Sequence, residues 1–190
     1  MILFLESPNF FDSPWIELEI AFAKKYRLGL FAVNTGTTKT IASIDDEYRK
    51  TISLDTPTGK LEASALDSLV AEIKIQHSVA LYRMRNYLNN NIVAALQSKG
   101  MTGTFDNNGF INVTDKTGKL SYKIWATARP PKVNDYHYTD ISHLSGIKII
   151  FGPEFVEEKR EVINTWLSTK AAVDYYNEGQ IMSLINLIHS

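Results

Sequence analysis

The sequence predicts an α/β fold, and three observations carry that reading. Ile2-Leu3-Phe4-Leu5 and Leu28-Gly29-Leu30-Phe31-Ala32-Val33 are short, continuous apolar runs. Runs of this kind mark strands buried on both faces, the habit of parallel sheets. A helical stretch lies between them, and strand, proline, helix and strand recur in that order near residues 147–176. With 190 residues, 44% of them apolar, the chain can bury a sizeable core.

The first strand stops at Ser7-Pro8-Asn9. Ser13 suits the N-cap of the next helix and Pro14 its first position, and Lys24, Lys25 and Arg27 suit its negative end. Strand, helix and strand form one βαβ unit over residues 2–34, for which a right-handed crossover is expected. Residues 34–60 read as a long polar loop with a short helix near Asp45–Arg49. Leu61 to about Ser98 reads as helix, with a break expected near Gln76–His77 or at Asn89-Asn90-Asn91. Around Asn107-Asn108-Gly109 the pattern changes to period two, giving a three-strand meander from Thr104 to Ala128. Residues 132–145 read as an aromatic, polar loop. Lys148–Phe151 reads as a strand, Glu154–Thr169 as a helix, Ala171–Tyr175 as a strand and Gly179–Ile188 as a helix. The expected organisation is a βαβ portion at 1–40, a loop and helical linker at 41–100, and a second α/β unit at 101–190.

Composition excludes several function classes. There is no cysteine, which removes disulfide scaffolds, thiolate–metal sites and thiol nucleophiles. A net charge of −1 gives no general field for nucleic acid. No apolar run reaches the roughly 20 residues of a membrane span. The start carries no basic signal-peptide region. A cytoplasmic protein with neither nucleic-acid nor membrane partners is expected. His77, His137, His143 and His189 lack metal-ligand spacing, so no metal is expected. Thr35–Thr40 contains Gly36 and Lys39 without the full phosphate-loop spacing. Arg83 and Arg85 read as helix surface, and Trp125 and Trp166 as core or interface. Asp174 and Glu178 lie where a second crevice could form.

The first helix carries the sharpest signal. On a wheel, Trp15, Ile16, Leu18, Ile20, Phe22 and Ala23 share one arc, and Glu17, Ala21, Lys24 and Lys25 the other. Glu19 falls inside the apolar arc, between Trp15, Phe22 and Ala23. A carboxylate there is costly unless paired or neutral, so it stands out as functional. The pairing of Glu19 with a basic residue at the edge of the stripe is the alternative. The loop from Glu6 to Ser13 and the following helix start also lie at the carboxyl end of a parallel strand, where such sheets bind ligands.

The segment Leu5-Glu6-Ser7-Pro8-Asn9-Phe10-Phe11-Asp12-Ser13-Pro14-Trp15-Ile16-Glu17-Leu18-Glu19-Ile20-Ala21 resembles the central part of Toll/interleukin-1 receptor (TIR) domains. The shared features are a strand ending in Ser, a short loop, a Ser before Trp, a Glu four residues later, and then a strand. The resemblance covers residues 2–34. It implies a portion of a doubly wound, flavodoxin-like sheet and an NAD⁺ glycohydrolase in bacterial defence or signalling. It makes Glu19 the catalytic carboxylate, and Ser7, Ser13 and Trp15 substrate-binding. NAD⁺ enters as substrate, with no cofactor, and association through TIR-type contacts is implied. The family's earlier strands and BB loop supply NAD⁺ contacts, and here only Met1 precedes the strand. The resemblance therefore implies a C-terminal fragment, a degenerate domain, or a site completed by another chain. The nucleoside deoxyribosyltransferase-like group also sets a helix Glu against a ribosyl carbon, but the Ser–Trp spacing favours TIR. Two other readings stay open: a non-catalytic interaction module, and a ligand sensor in residues 101–190.

Overall fold

The computed structural model describes residues 1–54, 58–115, 117–118, 121–129, 131–141, 146–154, 169 and 172–189. The fold is mixed α/β, and the chain divides into two compact units, Met1–Tyr82 and Arg83–Ser190.

The first unit holds the predicted βαβ element. β1 (Ile2–Glu6) and β2 (Leu30–Asn34) are parallel, with Ile2 opposite Leu30 and Glu6 opposite Asn34. Between them a 3₁₀ turn at Phe10–Asp12 leads into α1 (Trp15–Lys25). Ser13 has extended backbone but caps nothing with its side chain; its carbonyl accepts from Ile16 N–H at 3.4 Å, and Pro14 stands at the cap position. The helix ends in a Schellman arrangement. Leu28 N–H bonds Ala23 O at 2.8 Å, Arg27 N–H bonds Lys24 O at 3.2 Å, and Arg27 takes a left-handed φ of 51°.

A third parallel strand, β3 (Arg49–Thr51), pairs with β2 inside the stretch read as loop. Arg-Lys-Thr has no apolar signature, so lateral bonds to β2 and the preceding 3₁₀ turn at Asp46–Tyr48 define it. The strand order is β1-β2-β3, which leaves β1 at an edge. Ile41 and Ile44 are buried with Phe4 and Ala32, so this unit runs past residue 40.

β1 departs from the expected burial on both faces. Phe4 and Glu6 are buried, while Leu3 and Leu5 are 50% and 56% exposed. The physical cause is coverage. On one face, Ile20 of α1 packs into the cluster of Phe4, Ala32, Ile2 and Leu30. On the other, Leu69 and Ile73 pack on Phe31 and Val33 of β2. These come from α2 (Ala63–Ser98), one unbroken 36-residue helix without either expected break. It comes close to the sheet at Gly29, where an added Cβ would lie 2.5 Å from Ala80 Cβ.

The second unit is a five-stranded mixed sheet of order β4-β5-β6-β7-β8. β4 (Gly103–Phe105), β5 (Ile111–Thr114) and β6 (Ser121–Ala126) are the predicted antiparallel meander. β7 (Ile147–Gly152) and β8 (Asp174–Asn177) add in parallel. One face packs on Leu88, Ile92 and Leu96 of α2 and on Leu184, Ile185 and Ile188 of α4 (Ile181–His189). The stretch read as aromatic loop contains α3 (Val133–Ile141), whose Tyr136 is buried against Ile150 and Val173. Most of the helix expected over Glu154–Thr169, with Trp166, lies outside the described residues, as does His143.

Candidate active site

The carboxyl ends of β1, β2 and β3 bring Glu6, Asn34 and Thr51 into register. Glu6 ends an apolar strand and is fully buried. Its charge is met by Arg49, whose Nε donates to Glu6 Oε2 at 3.0 Å. Asn34 Nδ2 donates to the same oxygen at 3.3 Å, and Ile41 N–H donates to Oε1 at 2.8 Å. Arg49 Nη2 donates to the carbonyls of Ile41 and Ile44, both at 2.9 Å, and Nη1 donates to Asp46 at 2.6 Å. Asn34 Nδ2 also donates to Thr37 O at 3.0 Å, and its Oδ1 accepts from Gly36 N–H at 2.8 Å. The glycine-containing loop after β2 is thus tied back to the strand ends. Both Glu6 oxygens are occupied, which suits this carboxylate to holding the loop rather than to reacting.

Sequence reasoning did not pick out this network. Its one local signal is a charged residue closing an apolar strand. Arg49 lies 43 residues away, so no local pattern joins the pair.

The residues singled out in the sequence lie on the connection leaving β1. Ser7 and Ser13 flank the 3₁₀ turn, and Ser7 O accepts from Phe10 N–H at 3.0 Å. Trp15 and Glu19 lie one turn apart on α1, and both are exposed, Trp15 by 65%. The expected burial of Glu19 is corrected. α1 sets Ile20 and Ala23 against the sheet, so only one edge of the wheel's apolar arc is covered. Leu18 and Phe22, 60% and 52% exposed, join Trp15 and Glu19 on the open side. Among the described residues, the Glu19 side chain forms no hydrogen bond or ion pair. The arrangement offers a solvated carboxylate amid apolar surface, able to meet a cationic or hydroxyl-bearing group.

The second unit has its own set of strand ends. Tyr87 Oη donates to Glu178 Oε1 at 2.7 Å just past β8, whereas Asp174 opens that strand at its far end. Arg85 lies 3.8 Å over the Trp125 ring, which packs against Phe110 and Tyr138. Burial pulls the Arg85 guanidinium below its ordinary pKa, and Tyr138 opposes that shift. Trp125 therefore serves packing and cation–π contact, and Arg85 is more than a helix-surface charge. Among the described residues, no group of acidic and histidine side chains could hold a metal ion, and no helix is long and apolar enough to cross a membrane.

Comparison of the chain with protein-family models, with curated proteins and with solved structures returns no match.

Proposed function

We propose that the first unit is a TIR-like NAD⁺ nucleosidase with Glu19 as its catalytic carboxylate. The observation supporting this is the open Glu19, one turn past Trp15 on the helix that follows a parallel strand. In this reading the bond between nicotinamide nitrogen and ribose C1′ breaks, and the electron pair leaves with neutral nicotinamide. Positive, oxocarbenium-like charge builds on the ribose, and the Glu19 carboxylate stabilises it. Water adds at C1′ and releases a proton, giving ADP-ribose. Nicotinamide is a good leaving group, so no second acid is needed. Trp15 offers a flat surface beside the carboxylate, and Ser7 and Ser13 supply hydroxyls at the loop. The remaining contacts come from outside residues 2–34, from another copy or another polypeptide. The setting in this reading is a cytoplasmic homo-oligomer in bacterial defence or signalling, without nucleic-acid or membrane partners.

The exposed Trp15, Leu18 and Phe22 also favour a second reading, a non-catalytic interaction module. Incubation of the concentrated protein with NAD⁺ separates the two. Nicotinamide release that falls at least about 100-fold in Glu19→Gln supports the first. Equal release by wild type and variant overturns it, and no release by either leaves the interaction module.

A further inference from the structure

We infer that Arg85, laid on Trp125 at the carboxyl end of β6, is the anion-binding group of a small-molecule site in the second unit. Its ligand is a single oxyanion, phosphate or carboxylate, carried on a planar ring. The test below reads binding rather than nicotinamide, so this inference can fail while the proposed function holds, and the reverse.

Strand alternation builds the place. Ile124 and Ala126 point into the core with Leu88 of α2, so Trp125 points to the opposite face. Ile111 stands opposite Ile124, which sets Phe110 beside Trp125 with ring centroids 5.0 Å apart. Tyr138 of α3 closes on both, 5.1 Å from Trp125 and 5.8 Å from Phe110. The turn before β5 brings in Gly109 at a φ of 81°. A Cβ there would lie 3.0 Å from Arg85 Nη2 and 3.7 Å from Trp125 Cζ3, so the glycine leaves room for the guanidinium. β6 and β7 are parallel, and ligands of parallel sheets bind outside the carboxyl ends of their strands.

The guanidinium lacks a counter-ion. Arg49 meets Glu6 at 3.0 Å, and Arg129 meets Asp135 at 2.7 Å. Arg85 meets no carboxylate among the described residues. Its Nη2 donates to Gly109 O at 3.3 Å, and its Nε–H is buried without a hydrogen-bond partner. Asp106, in the same turn as Gly109, turns Oδ1 to the N–H groups of Asn108 and Phe110 instead. Burial pulls the Arg85 pKa down, and the influence opposing it is Tyr138, not an acid. Buried charges are ordinarily paired. The stack on Trp125 offsets part of the cost of taking the cation out of water, and a bound oxyanion offsets the rest.

The rim defines the rest of the ligand. Tyr138 is 40% exposed, and its hydroxyl forms no hydrogen bond among the described residues. One guanidinium and one hydroxyl suit one oxyanion rather than a chain of phosphates. The exposed ring of Tyr138, backed by buried Phe110, offers a flat apolar surface on which a planar ring stacks.

Isothermal titration calorimetry and thermal melts of the full chain test this. The probes are adenosine 5′-monophosphate, a ring-bearing phosphate, and indole-3-acetate, a ring-bearing carboxylate. At least one is expected to bind and to raise the melting temperature, and which one does so identifies the oxyanion. Its separate halves, inorganic phosphate and adenosine or acetate and indole, should bind at least about tenfold more weakly. Arg85→Met keeps a chain that covers Trp125 and removes the charge. It should abolish binding yet melt no lower than wild type without ligand, because the charge removed is uncompensated. Binding of neither probe overturns the inference, as does binding that persists in Arg85→Met. So do halves that bind as tightly as the whole, or an Arg85→Met protein that melts well below wild type without ligand, which would mark a structural arginine.

Discussion

Glu6 and Glu19 are carboxylates of one short segment with opposite fates, set by what surrounds each. Glu6 is buried and satisfied by Arg49, Asn34 and a backbone N–H. Removing one member of such a pair leaves an uncompensated buried charge. Arg49→Ala should therefore cost about 3–5 kcal/mol in urea unfolding. Asp46→Ala, at the exposed end of the same arginine, should change little. Equal effects of the two would mean that the network does not hold the strand ends. Glu19 was legible in the sequence as an apolar-face carboxylate, but its exposure was not. A wheel shows which residues share a face, not which part of a broad face the sheet covers. The Glu6–Arg49 pair was illegible for a different reason, since its partners meet only when β3 docks beside β2.

The elements divide by how much of their stability is local. β1, α1 and β2 follow from apolar runs and helix-end residues, and all three form where the sequence places them. β3 is polar and exists through its bonds to β2, so no periodicity announces it. α3 follows a proline pair and has polar and aromatic composition, yet buried Tyr136 and Thr139 anchor it, with Thr139 Oγ1 donating to Asp135 O at 2.8 Å. α2 runs through three asparagines without a break because Leu88, Ile92 and Leu96 are packed on either side of them. Two changes test the element ends. Arg27 holds a left-handed conformation that costs a non-glycine residue about 1 kcal/mol, so Arg27→Gly should stabilise the chain by up to that amount. Gly29→Ala drives a methyl group into Ala80 and should destabilise by about 1–3 kcal/mol. Thermal melts of the two variants should move in opposite directions. A shift in the same direction would contradict this account of the helix end or of the close approach.

For the whole molecule, the α/β class and the meander were readable because they rest on period and turn chemistry. The division into units was less so. α2 reads as a linker, yet it gives Leu69 and Ile73 to one core and Leu88, Ile92 and Leu96 to another. The first unit therefore extends through the stretch read as loop and into this helix. Parallel strands, an edge at β1 and an open helix face beside it give that unit a free carboxylate and an apolar surface together. In the proposed function the carboxylate stabilises the charge that builds on the ribose. The most direct measurement is chromatographic detection of nicotinamide from NAD⁺ incubated with concentrated full-length protein, comparing wild type, Glu17→Gln and Glu19→Gln. Release by wild type and Glu17→Gln, with loss in Glu19→Gln, is the expected result. Equal release by all three, or none from wild type, would contradict it.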